Sequence, residues 1–247
     1  MNRENAIIYL VYAPNVDYIF EELKKSFGVE RALNITTELY IKIYSKLDRY
    51  ENAIKIISYS KDSKHPDLRW LSSDEPGFLD ITSKPYNTAF LLTADLAFRV
   101  GAKKVVWVNH LAPTVSLNDI DKAFSDINDK NIVIGPSKDN GVYLLGFASS
   151  ALRIFDNFYF LRDNIRNEII DKIKKFKMSF SEIDEKFVVK DEESLKLWIE
   201  SDEYKPSISE SKKEEMKHTH KRKKETHTTQ NLPSGENTPN VDGNVSK

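Results

Sequence analysis

The chain has 247 residues, no cysteine and a formal net charge of −1; it is long enough for one full core of about 200 residues. The missing thiols exclude disulfides, thiolate zinc sites and a cysteine nucleophile, and are compatible with a reducing compartment. From Lys205 onward nine Lys or Arg stand against six Asp or Glu, which leaves Met1 to Tyr204 near −4, so the folded part is not a polyanion binder by charge and nucleic acid is not an expected partner.

The first element is Ala6 to Ala13 (A-I-I-Y-L-V-Y-A), a continuous apolar run stopped by Pro14. That pattern suits a central strand covered on both faces. Leu39, Ile43 and Leu47 then recur at helical spacing within an amphipathic helix over Glu30 to Leu47, and Ala53 to Tyr59 predicts a second strand. Lys61 to Tyr86 is polar and proline-bearing, so it reads as loop, with a short strand at most near Leu68 to Leu71. Asn87 to Val100 is apolar on nearly every side and reads as a buried helix closed by Gly101. Lys103 to Val108 is the next strand, and Ser116 caps a helix running to about Ile127.

Asn131 to Gly146 (N-I-V-I-G-P-S-K-D-N-G-V-Y-L-L-G) joins two apolar runs through a polar turn. Within it Ser137, Lys138, Asp139 and Asn140 offer charge and hydrogen bonds, and Gly141 can take positive φ or admit a ligand close to the backbone. Ordinary turn chemistry between core strands explains the same residues. Ser149 to Phe160 is aromatic-rich, either core or an interface patch; Arg162 to Met178 reads as a basic helix, Phe187 to Val189 as a short strand, and Asp191 as the cap of a last helix ending near Ile199. Alternating strands and helices predict an α/β fold of three layers, α/β/α, around a mostly parallel central sheet. The domain expected is 1–204.

Beyond Tyr204 there is no aromatic residue, so 205–247 is expected to be a disordered polar and basic tail. Its H-T-H followed by K-R-K-K, from His218 to Lys224, would bind a metal or an anionic surface at best weakly, and a solvated tail accounts for it. No apolar run approaches the ~20 residues of a membrane span. No signal peptide is visible, and a cytoplasmic location is expected.

Ligands of open α/β sheets sit at the carboxyl ends of the strands, which directs attention to Pro14 to Leu23, Asn109 to Pro113, Ser137 to Gly141, and Lys190. These four segments carry a resemblance. G-P-S-K-D-N-G-V-Y-L-L-G resembles the G-P-x-x-D-G-G-Y-Y-L-L-G signature of a bacterial family of uncharacterised nucleotide-sugar-transferase-like proteins (DUF2064), which includes arsenosugar-biosynthesis glycosyltransferase-like members. Ala13 and Pro14, Gly101 to Val106, Pro113 and the F-V-V-K-D-E-E-S-L run from Phe187 match in the same order. The resemblance implies a glycosyltransferase-A, or nucleotide-diphospho-sugar transferase, fold over about Ala6 to Ile199. It also implies a ligand held near Ala13, Pro14, Asn109, Asn140, Gly141 and Tyr143, so a nucleotide or nucleotide sugar is one implied partner.

The chain departs from that pattern at the groups that do chemistry. Phe20, Glu21, Glu22 and Leu23 stand where the family has a phosphate-facing K-T-R-L, and two carboxylates there repel phosphate. Leu111 replaces the metal-binding Asp of G-S-D-C-P, Ala89 the arginine of D-L-G-x-R-M, and Lys190 a second metal-side Asp. No cofactor is therefore expected, and no Mg or Mn ion. Asp139, Lys190 and His110 remain as catalytic candidates. Asp139 suits an acceptor hydroxyl or an Asx-turn, and His110 a base or a hydrogen-bonded structural residue. Two functions follow. One is a pseudoenzyme that keeps the fold as a binding or scaffold module with a protein partner. The other is a metal-independent glycosyl- or nucleotidyl-transferase that uses Lys190 for the charge a metal would supply.

Overall fold

The computed structural model describes residues 4–12, 21–60, 78–81, 84–158, 160 and 164–201. Ala13, Pro14, Phe20, the strand considered near 68–71 and the tail from Lys205 lie outside them. The elements in order are β1 (Asn5–Val11), α1 (Glu21–Phe27), α2 (Val29–Asp48), β2 (Ile54–Tyr59), β3 (Phe78–Asp80), α3 (Tyr86–Arg99), β4 (Lys104–Val108), α4 (Leu117–Asp126), β5 (Asn131–Pro136), β6 (Val142–Ala148), a 3₁₀ segment (Ser149–Phe155), α5 (Ile165–Lys175), β7 (Ser179–Glu182) and α6 (Glu192–Glu200).

The seven strands form one sheet in the order β3-β2-β1-β4-β6-β5-β7. β6 runs antiparallel to β4 and to β5, and the other four pairings are parallel. The sequence expectation of a mostly parallel α/β sheet therefore holds. Strands β1, β4, β5 and β6 are buried on both faces, which is why their sequences read as unbroken apolar runs instead of alternating ones.

Helices cover both faces. On one, α2 buries Ala32, Ile35, Leu39, Tyr40, Ile43 and Leu47, a stripe at i, i+3 and i+4. It stacks Tyr50, just past its end, on Phe124 of α4 and places Tyr40 edge-on to Tyr9 of β1. On the other face α3 sets Phe90 against Trp107 and Phe147, with Phe155, Phe158 and Phe160 closing the same cluster. The aromatic run after Ser149 is therefore core; Phe155, Phe158 and Phe160 are all buried. Each such ring removed from water contributes roughly 1.5–3 kcal/mol. Ser116 and Asp191 both cap their helices through reciprocal capping boxes, with Asp119 and Ser194 as the third helical residues.

Four expectations are corrected. Phe78–Asp80 pairs with β2 as an edge strand inside what reads as loop; three residues are too few to show a period. Ser179–Glu182 pairs in parallel with β5, whereas Phe187 to Val189 is not a strand and only Lys186 bridges to Ser137. A strand can be specified by a free sheet edge more than by its own apolarity, and S-F-S-E is such a case. Glu21–Phe27, whose first residues are read above only as part of the strand-end segment Pro14 to Leu23, is helical. In α3 the buried face is Tyr86, Ala89, Phe90, Thr93, Ala94 and Ala97, while Leu92 is exposed. Among the described residues no helix is long and apolar enough to cross a membrane.

Candidate functional site

The order β3-β2-β1-β4 has a switch point between β1 and β4: the chain leaves β1 towards β2 on one side and later enters β4 on the other. In an open α/β sheet this is where a crevice forms at the carboxyl ends. Here the described walls of that crevice are filled by rings. Tyr12 follows β1, His110 follows β4, Tyr40 comes from α2 and Tyr86 opens α3; none is more than 2% exposed. Tyr12 and Tyr86 stack with centroids 5.4 Å apart, and His110 lies 5.2 Å from Tyr40 and 6.0 Å from Tyr86. The Tyr12 amide donates to the Tyr40 hydroxyl at 3.0 Å, and the Tyr12 hydroxyl donates to the Lys84 carbonyl at 3.0 Å.

Complete burial pushes the His110 imidazole down to about 3, so it is neutral at pH 7. Asn109, expected to face a ligand, is spent on the backbone. Its Oδ1 accepts from Leu111 N at 2.9 Å, its Nδ2 donates to the Val142 carbonyl at 3.2 Å, and its own N–H donates to the Tyr143 carbonyl at 2.9 Å. Buried polar groups must be satisfied, and here the cheapest partners are the turn after β4 and the neighbouring β6. The same turn is held from α2, where the buried Lys46 ammonium donates to the Pro113 and Val115 carbonyls at 2.7 and 3.1 Å.

A second locus lies at the β5–β6 turn. The Ser137 hydroxyl donates to Asp139 Oδ1, Gly141 N donates to the same oxygen at 3.2 Å, and Lys190 Nζ lies 3.2 Å from Asp139 Oδ2. Glu22 of α1 stands 3.8 Å from the same ammonium. Val189 N donates to the Leu111 carbonyl at 2.8 Å, which carries Lys190 alongside the turn after β4. Partial burial of Asp139 works against its charge. The Ser137 hydroxyl, the Lys190 ammonium and the Gly141 amide together outweigh that and hold its carboxyl below the usual range.

Gly141 has a different role from the one its type suggests. The left-handed residue of the turn is Asn140, at φ 60°. A Cβ on Gly141 would lie 2.7 Å from Ser137 Oγ and 3.0 Å from Asp139 Oδ1, so any larger residue would have to displace the hydroxyl and carboxylate that meet there. Asn140 spends its amide on Asn164 at 2.9 Å, and its carbonyl accepts from Arg166 N. Tyr143 is a core residue: it is fully buried and its hydroxyl donates to the Asp184 carbonyl at 3.0 Å. Burial, then the charges of Asp119 and Asp184, push that hydroxyl up.

Of the three catalytic candidates, Asp139 and Lys190 meet; His110 packs among the rings of the crevice instead. Sequence reading missed Tyr12, Tyr40 and Tyr86 as fillers, because each reads as an ordinary core position of its own element. It also treated Glu22 and Lys190 as separate losses, although they form one contact. Among the described residues no group of three or more His, Cys, Asp or Glu is placed to hold a metal ion.

Residues 86–160 match the family model described as "Uncharacterized protein conserved in bacteria (DUF2064)". No curated protein matches the chain. A candidate nucleotide-diphospho-sugar transferase from Desulfovibrio desulfuricans G20 superposes with a TM-score of 0.68 at 20% identity, over 83% of this chain and 93% of that one. A cytidylyltransferase from Leptospira borgpetersenii superposes at 0.50 and 12% identity, over 94% and 99%. A candidate glucose-1-phosphate thymidylyltransferase from Bacillus anthracis, in complex with a sucrose, superposes at 0.51 and 12%, over 78% and 93%. At such identities the likeness establishes the fold alone. The chain thus has a nucleotide-diphospho-sugar-transferase-like fold, with DUF2064 similarity across α3 to the end of the aromatic run.

Proposed function

We infer that this protein keeps a nucleotide-sugar-transferase fold without its chemistry and serves as a binding or scaffold module. The observation that carries this reading is the packing at the switch point, where Tyr12, Tyr40, Tyr86 and His110 are buried against one another at strand ends of the kind where open α/β sheets bind ligands. Supporting it, the remaining polar locus does not fit a divalent ion. Leu111 offers no donor, and between Asp139 and Glu22 the chain supplies its own ammonium, Lys190. A diphosphate arriving there would have to displace two carboxylates from that ammonium, at an electrostatic cost.

Titration calorimetry of the full chain with a panel of nucleotides and nucleotide sugars, with and without Mn²⁺ or Mg²⁺, tests the reading. No metal-dependent heat is expected, and tight metal-dependent binding of any nucleotide sugar refutes it.

One observation favours a second reading, a metal-independent transferase: Lys190 and Asp139 do converge. Under it, Lys190→Ala lowers turnover while a chelator leaves turnover unchanged. Absence of donor hydrolysis across the same panel removes it.

A further inference from the structure

At the end of the sheet opposite these two loci the surface changes character. β5 and β7 are parallel, with Asn131 beside Ser179. Lys130 and Lys177 therefore emerge together at their amino ends, where Ser179 N donates to the Lys130 carbonyl at 2.8 Å. The last turn of α5 feeds into the same corner. Between Lys172 and Lys177 the chain has four lysines and no acid, and Lys130, Lys174, Lys175 and Lys177 are all exposed. Among the described residues their ammonium groups make no ion pair. Between Lys175 and Lys177 stands Phe176, 49% exposed.

Local structure does not account for the cluster. A helix carboxyl end favours a lysine or two through its dipole, but Lys130 belongs to no helix. Lys177 sits at φ 56°, a left-handed position just past the helix where glycine is unstrained and a side chain is not. An aromatic ring held in water amid ammonium groups, on a domain that is otherwise net acidic, has the chemistry of a membrane-surface contact. The lysines meet anionic headgroups and the ring enters the interfacial layer. Nucleic acid is less well matched, since a single ring without a groove gives no platform for successive bases.

We propose that this corner docks the protein peripherally on an anionic phospholipid surface, leaving the carboxyl-end loci directed away from the bilayer. The test is co-sedimentation of the full chain with phosphatidylcholine vesicles with or without phosphatidylglycerol. Binding is expected only with the anionic lipid and weakens with salt. Lys174→Ala, Lys175→Ala and Lys130→Ala each lower it roughly fivefold. Phe176→Ala lowers it with the salt dependence unchanged. Lys177→Gly separates docking from folding: it relieves the left-handed strain, so the variant is more stable yet binds more weakly. Two results overturn the proposal. One is binding that survives these substitutions but is lost when Lys221, Arg222, Lys223 and Lys224 of the tail become alanine. The other is absence of vesicle binding alongside patch-dependent binding of an oligonucleotide.

Discussion

At the carboxyl end of β1 and β4 four buried rings pack together, whereas the β5–β6 turn leaves Asp139 and Lys190 each about a quarter exposed, with Glu22 nearby. Both loci occupy strand ends where α/β proteins bind ligands, and the two are held by different means. One is packed by rings. The other is an ammonium set between two carboxylates. Packing and ion pairing should respond differently to mutation.

The largest expected effect is on the packed locus. Tyr40→Ala empties a fully buried position and removes the acceptor of the Tyr12 amide, so unfolding free energy should fall by about 3–5 kcal/mol in urea titrations. A loss well under that would mean the rings are loosely held and the crevice can open.

Acid should break the same locus next. The His110 pKa is lowered to about 3 in the fold from an ordinary 6.5. Between those values the unfolded state holds the extra proton, so stability is lost as pH falls through this window, at up to about 1.4 kcal/mol per unit. Asp139 is a depressed carboxylate; its contribution is present above its unfolded value and is lost only as pH falls through the lower folded value. The slope between pH 6 and 5 thus reports His110 and should disappear in His110→Phe. A slope that persists there would assign the acid sensitivity elsewhere.

At the polar locus the effects should be smaller. Gly141→Ala forces a methyl between Ser137 and Asp139 and is expected to cost about 1–3 kcal/mol by overpacking, with the Asp139 carboxyl rising in a carbon-13 NMR titration. Lys190→Ala removes the ammonium of a partly buried pair, so about 1 kcal/mol of stability should go. The Asp139 carboxyl should again move up. If it stays where it is, the ammonium is not what holds it.

Much of the fold was legible because burial writes itself into composition: unbroken apolar strands at Ala6, Lys103 and Asn131, a heptad-like stripe in α2, and the caps at Ser116 and Asp191. The misses share one cause. Phe78–Asp80 and Ser179–Glu182 are strands because a neighbouring edge accepts them, and nothing in three or four residues announces that. At the candidate site, Asp139 and Lys190 were visible as chemistry. Asn109 and Tyr143, expected beside a ligand, bond backbone groups instead, and Val142 and Asp184 reach them across strand pairings that local sequence does not display.

What the sequence determined by itself was the architecture and the residue types at the strand ends, since hydrophobic period and residue type are local properties: Leu111 cannot ligate and Lys190 cannot be an acid wherever they lie. Only the tertiary structure decided what these ends are packed against. It brought Tyr12, Tyr40, Tyr86 and His110 together from four elements, and set Lys190 between Asp139 and Glu22 from three others. Contacts between residues 24 to 168 positions apart depend on strand order and helix placement, so the packing at one locus and the ion pairs at the other exist only in the folded chain.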